Sequence, residues 1–155
     1  MADVQTRDLQ PSRDLHPSDQ QLIERARALV PRLRERAASC EERRRIPAET
    51  LAELDAAQLF RTLQPRRFGG LERDYGVMTE IAYELGRGCG STSWVFQNLC
   101  AHQLLLAFFP LEAQQEFWGP DPARLASTGW ASKHARALPV PGGYRLTGRW
   151  EFSSG

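Results

Sequence analysis

Gly119 divides this sequence into two kinds of chain. Before it, apolar residues recur at helical spacing with few interruptions. After it, Pro120, Pro122, Pro139, Pro141, Gly142 and Gly143 punctuate short runs rich in β-formers. A chain of 155 residues buries roughly 70% of the surface it exposes unfolded, enough for one core and not for two large ones. The pattern therefore predicts a mainly α protein, with a helical domain over 18–118 and the start of a β-domain over 119–155. Strands are expected at 125–130, 133–138, 144–147 and 149–153, with Pro-Gly-Gly as a hairpin turn. Strands without closing partners leave an exposed edge, which folded proteins avoid, so the β-domain is expected to be truncated.

Within the helical part, residues 1–17 are polar and aperiodic, which predicts a mobile lead-in. Ser18 with Gln21 three residues on forms a capping box, and Leu22, Ala26, Leu29, Leu33 and Ala37 follow on one helical face to about Arg43. Pro31 falls inside this helix and is expected to kink or divide it. The arginines at 43–45 suit its C-terminal end. Pro47 marks the first turn of a second helix, and a glycine-bearing loop is expected over 63–71. Asp74 caps a third helix with Met78, Ile81, Ala82 and Leu85 as its stripe. Gly86, Gly88 and Gly90 stop it, and Ser91 or Ser93 caps a fourth, residues 94–109, apolar on most of its circumference. A short fifth follows Pro110.

Composition narrows the function classes. Twenty basic against nineteen acidic residues leave a net charge of +1, which argues against nucleic acid or an acidic membrane as partner. Hydrophobic residues at 41% and charged residues at 25% are those of an ordinary soluble domain. Three cysteines, Cys40, Cys89 and Cys100, lack C-x-x-C spacing and indicate neither a disulfide framework nor a zinc site. With no apolar leader or membrane-length apolar window, a cytoplasmic location is expected.

The glycines at 86, 88 and 90 follow a helix, whereas the dinucleotide fingerprint requires a preceding strand. Serine-hydrolase, zinc-protease and P-loop motifs are absent from the sequence. Trp94, Asn98 and His102 share one face of the fourth helix by i, i+4 spacing. In so apolar a helix, either core neighbours or a ligand must satisfy that amide and imidazole. His134 and His16 carry less signal, and three scattered histidines do not suggest a metal site.

The run at 142–155, G-G-Y-R-L-T-G-R-W-E-F-S-S-G, resembles the strand pair of the acyl-CoA dehydrogenase superfamily that leads to residues lining the flavin ring. Its ending is most similar to the flavin-dependent monooxygenase branch, the oxygenase components of two-component aromatic hydroxylases. Upstream, C-G-S-T-S-W-V at 89–95 resembles the same branch's helix beside the substrate pocket, and R-F-G-G at 67–70 resembles the superfamily's first-domain loop. Where an acyl-CoA dehydrogenase carries Thr-Glu-Pro and Gly-Ser-Asp patterns, this chain has S-T-G-W-A-S at 127–132, a departure that weakens the dehydrogenase reading.

The resemblance implies an N-terminal helical domain of the acyl-CoA dehydrogenase-like fold followed by the first strands of a flavin-binding β-domain. It implies that Ser127, Thr128, Trp130, Phe152, Ser153 and Ser154 border the flavin, with Ser154 facing N5, and that Trp94, Asn98 and His102 face the substrate. Ser154 and His102 are the implied catalytic pair, Ser154 by a hydrogen bond at N5 and His102 by orienting or deprotonating a phenol. An apolar pocket lined by Trp94, Phe96, Leu99 and Trp130 would exclude water. The implied cofactor is reduced flavin, FMN or FAD, delivered by a separate flavin reductase. The implied partners are a small-molecule substrate and, at full length, identical subunits in a tetramer. The alternatives are an acyl-CoA dehydrogenase holding FAD, and a non-catalytic helical module. Half a flavin pocket would not turn over by itself.

Overall fold

The structure, a computed structural model, describes residues 17–129 and 132–155. Of the sequence expectations, residues 1–16 with His16, and Trp130, lie outside that range. Pro17 lies inside it, buried, and its carbonyl accepts a hydrogen bond from Arg73 at 2.6 Å.

Helix α1 (Asp19–Arg43) begins at the predicted capping box: Ser18 Oγ accepts from the Gln21 amide at 3.2 Å, and Gln21 Oε1 accepts from the Ser18 amide at 2.8 Å. It runs unbroken past Pro31, so the expected division does not occur. Pro31 is exposed, so the carbonyl it leaves open on the preceding turn lies on the solvent side. The stripe of Leu22, Ala26, Leu29 and Leu33 stays buried across it. The helix ends where the arginines predict, at a left-handed Arg44, and the Arg45 amide donates to the Cys40 carbonyl at 3.3 Å.

Helix α2 (Ala48–Ala56) follows Pro47, which occupies the N-cap rather than the first turn. A left-handed Gln58 and two 3-10 turns, Leu59–Arg61 and Arg66–Phe68, make up the connection to α3 (Tyr75–Gly86). Asp74 caps α3 as expected, accepting from the Gly76 amide at 2.7 Å. Helix α4 (Gly90–Ala107) starts earlier than the sequence suggests, with Cys89 at its N-cap and no side-chain cap. Ser93 is not a cap: its hydroxyl donates to the Ala82 carbonyl at 2.7 Å, tying α4 to α3. Nor do the glycines act through a left-handed terminus, because α3 ends at a right-handed Arg87. Gly88 is required for close approach: a Cβ there would lie 2.7 Å from Leu33 Cβ and 2.8 Å from the Val30 carbonyl oxygen of α1. Helix α5 (Leu111–Trp118) matches its expected range.

The core lies where α1 packs on α3 and α3 on α4, filled by Leu22, Leu33, Leu54, Leu59, Met78, Ile81, Leu85 and Phe96. Trp118 is fully buried outside that cluster, its ring centroid 5.2 Å from that of Phe68 and its Nε1 donating to Gln103 Oε1 at 3.1 Å. Two antiparallel strands follow, β1 (Arg136–Val140) and β2 (Gly143–Thr147), with Val140 opposite Gly143. Pro141 and Gly142 form the two-residue turn, and Gly142 at φ +83° supplies the left-handed second position of a type II turn. The strands expected at 125–129 and 149–153 are not formed, and β1 begins three residues later than expected. No ladder forms in either segment, and Phe152 is left-handed at φ +60°; single side-chain bonds tie the chain here instead, Ser132 Oγ donating to the Arg149 carbonyl and Ser127 Oγ to that of Ser154 at 2.9 Å. All ten residues of the two strands are exposed.

Candidate functional site

The C-terminal segment returns to the helical domain at the first turns of α4. Trp94 Nε1 donates to Ser154 Oγ at 3.1 Å, and Ser127 Oγ donates to the Ser154 carbonyl at 2.9 Å. Ser154 is thus held through its side chain by a helix and through its backbone by the segment after α5. Because its oxygen accepts from the indole, its own hydroxyl hydrogen remains available to donate.

Behind this contact is a cleft of about 810 Å³, within the size range of small-molecule sites. Its wall is mostly apolar, from Ile46, Leu51, Phe60, Val95, Leu99 and Leu125, while Arg44, Arg45, Asp55, Ser127 and Ser154 supply polar groups. Helix α4 contributes Val95 and Leu99 because these positions are one turn apart on a single face. Leu51 comes from α2 and Phe60 from the 3-10 turn after it.

Of the residues singled out from sequence, Trp94, Ser127 and Ser154 come together here. Asn98 and His102 do not line the cleft. Asn98 Nδ2 donates back to the Trp94 carbonyl at 2.8 Å, and buried His102 donates from Nδ1 to the Asn98 carbonyl at 2.6 Å. That bond places the Nδ1 hydrogen, since a carbonyl only accepts. Both residues therefore follow the i, i+4 face of α4, but they engage the helix's own carbonyls. Thr128 Oγ1 donates to the neighbouring Gly129 carbonyl, Ser153 is exposed, and Phe152 projects outward, 92% exposed and left-handed at φ +60°. None of these three lines the cleft. Of the expected pocket lining, Leu99 is in place, whereas Phe96 is in the core, its ring centroid 6.1 Å from that of Phe60. Phe96 sits one position past Val95, which turns it from the cleft into the α3–α4 packing.

Sequence reasoning missed the wall given by Leu51, Phe60 and Leu125, and the arginines at 44 and 45. The apolar pair at 59–60 closing the second helix was visible as a pattern, but its pairing with α4 is a tertiary fact. Among the described residues no cluster of His, Cys, Asp and Glu could hold a metal ion, and no helix is long and apolar enough to cross a membrane.

The family described as acyl-CoA dehydrogenase, N-terminal domain, matches residues 16–125. The oxygenase subunit HsaA of a flavin-dependent monooxygenase from Mycobacterium tuberculosis (strain ATCC 25618 / H37Rv) is 41% identical over 127 residues, 82% of this chain and 32% of that protein. The oxygenase component of an FADH(2)-dependent resorcinol hydroxylase from Rhizobium sp. (strain MTP-10005) is 41% identical over 135 residues, 86% of this chain and 32% of its own. Among solved structures, HsaA from M. tuberculosis superposes with a TM-score of 0.85 at 36% identity, covering 88% of this chain and 37% of that one. XiaF from Streptomyces sp., in complex with FADH2 and glycerol, superposes with a TM-score of 0.81 at 35% identity, covering 87% and 34%. The chain thus spans about a third of the length of these relatives.

Proposed function

Since this chain belongs to the acyl-CoA dehydrogenase family, we propose that it is the N-terminal part of the oxygenase component of a two-component flavin-dependent monooxygenase that hydroxylates an aromatic substrate. The observation that carries this reading is the clamp on Ser154, between Trp94 and Ser127, at the edge of a largely apolar cleft. The names of the relatives favour the oxygenase over the dehydrogenase, and two of them carry reduced FAD in their names, which makes FADH2 the preferred cofactor over FMN. A separate reductase would supply it.

The residues present fit such a group. A flat, amphipathic ring needs an apolar wall and a few fixed donors at its edge, and the cleft offers Phe60, Leu99 and Leu125 beside the Ser127 and Ser154 hydroxyls. When bound, reduced flavin supplies two electrons to O2, so that one oxygen atom enters the substrate and the other leaves as water. Ser154 donates its hydroxyl hydrogen to the ring edge, and Trp94 holds that hydroxyl in place. Val95, Leu99 and Phe60 keep bulk water away from the reacting oxygen, whose productive transfer competes with its loss as hydrogen peroxide. His102 acts from behind, fixing the turn of α4 that carries Asn98 and, one turn further back, Trp94.

The test is made on the protein of the relatives' length encoded by the frame that reads through Gly155. With a flavin reductase, a phenolic substrate and labelled O2, one oxygen atom of the label is expected in the product. A protein that instead retains oxidised FAD through purification and dehydrogenates an acyl thioester without taking up label is a dehydrogenase, and the oxygenase reading fails. A stop codon directly after Gly155 leaves the non-catalytic helical module.

A further inference from the structure

The cleft has two unlike ends. Along α4, Ser91, Val95 and Leu99 follow one another at four-residue steps on one face, so Ser91 and Leu99 lie about 12 Å apart along the helix axis. The C-terminal segment meets the Leu99 end: a Cβ on Gly155 would lie 2.6 Å from Leu99 Cδ2 and 3.2 Å from Ser127 Cβ. Arg44 and Arg45 line the cleft and also a groove of about 290 Å³ that they share with Ser91 and Val95, which sets them toward the opposite end. Apolar Leu51, Phe60 and Val95 belong to the wall between.

Elsewhere in the helical domain arginines are used by the fold: Arg32 and Arg36 bind Glu53, Arg27 and Arg87 bind Glu84, and Arg73 binds Asp19. Arg44 and Arg45 are exposed, and among the described residues neither guanidinium forms an ion pair or a hydrogen bond, although Asp55 of the cleft and Glu41 of the groove carry carboxylates. Their backbone is fixed instead. Arg44 is left-handed at φ 51°, its amide donates to the Glu41 carbonyl at 3.1 Å, and the Arg45 amide donates to that of Cys40 at 3.3 Å. Glycine is the usual residue at such a helix end, so this position holds a cation that no contact within the fold uses. Resting on the reading that the cleft takes an aromatic substrate, we propose that this substrate is an aromatic acid, whose carboxylate binds Arg44 and Arg45 while its ring lies on Phe60 and Val95 and its far edge faces Ser154. The planar fork of N–H donors on a guanidinium matches the two oxygens of a carboxylate. A neutral phenol of the same shape gains only the apolar wall.

The experiment titrates the isotope-labelled 155-residue chain with para-hydroxybenzoate and with its neutral counterpart para-hydroxybenzamide, at low ionic strength, following the Val95 and Leu99 methyl signals and the side-chain N–H signals of Arg44 and Arg45 by NMR. No turnover is read, so the outcome is independent of whether the longer protein is an oxygenase or a dehydrogenase, which labelled O2 decides. The acid is expected to move all four residues and to bind about tenfold more tightly than the amide. Arg44→Gln combined with Arg45→Gln is expected to bring that ratio to about one with the helical circular dichroism spectrum retained, both side chains being exposed. Equal binding of acid and amide overturns the proposal, as does an acid preference that survives in the double variant or the absence of any acid-induced shift at Val95 and Leu99. FMN and riboflavin form a second pair of probes: a preference for FMN that needs the arginines, with acid and amide bound alike, assigns them to the cofactor's phosphate and overturns the substrate class.

Discussion

Ser154 is fixed by two hydrogen bonds from different elements, one to its hydroxyl and one to its carbonyl. Replacing it by alanine in the proposed full-length oxygenase removes the donor at the cleft edge and leaves the backbone tether. A neutral hydrogen bond contributes about 0.5–1.5 kcal/mol, so Ser154→Ala is expected to lower the hydroxylated product formed per reduced flavin consumed by up to about tenfold, with the balance released as hydrogen peroxide. Product and peroxide yields measured together check this, and unchanged coupling removes Ser154 from the chemistry. At Gly88 the physics is steric. A methyl group there meets Leu33 Cβ and a backbone oxygen that cannot rotate away, so Gly88→Ala is expected to destabilise the chain by about 1–3 kcal/mol. Urea denaturation reads it as a lower midpoint at unchanged slope.

At the scale of elements, α1, α3 and the α3–α4 turn are joined through Glu84. Its carboxylate, almost buried, receives Arg27 at 2.9 Å from α1 and Arg87 at 2.7 Å from the turn. Hydrogen bonds from Arg27 and then Arg87 hold its carboxyl below the usual glutamate range. An unfolded glutamate titrates near pH ~4.3, so this contribution to stability is complete above that value and is lost as pH falls through the folded one. Glu84→Gln is expected to be less stable than the parent at pH 7, with the difference shrinking as pH falls below about 4; thermal unfolding at several pH values measures it. The sequence carried the helices themselves well, since caps at Ser18 and Asp74 and the stripes of α1 and α3 are local patterns. It carried Ser93 wrongly, because a serine in the first turn of a helix reads as a cap until the Ala82 carbonyl of another helix is seen beside it.

At the scale of the molecule, the buried hydrophobic core runs from Leu22 to Trp118, while β1 and β2 contribute no buried residue. Ending the chain after Leu125 is therefore expected to cost less than about 1 kcal/mol, a melting shift of no more than ~4–8 °C. It also frees the Trp94 indole, and a red shift of tryptophan emission reports it. A collapse of the helical melting transition would show instead that the C-terminal segment carries stability. The amino-acid sequence by itself determined the mainly α architecture, most helix limits and the Pro141–Gly142 hairpin, because capping, periodicity and turn chemistry act over a few residues. The meeting of Trp94 with Ser154 across 60 positions and the wall from Phe60 to Leu99 were decided only by the tertiary structure. Each depends on which helix faces are pressed together, and the packing of α1, α3 and α4 sets that, not any local spacing.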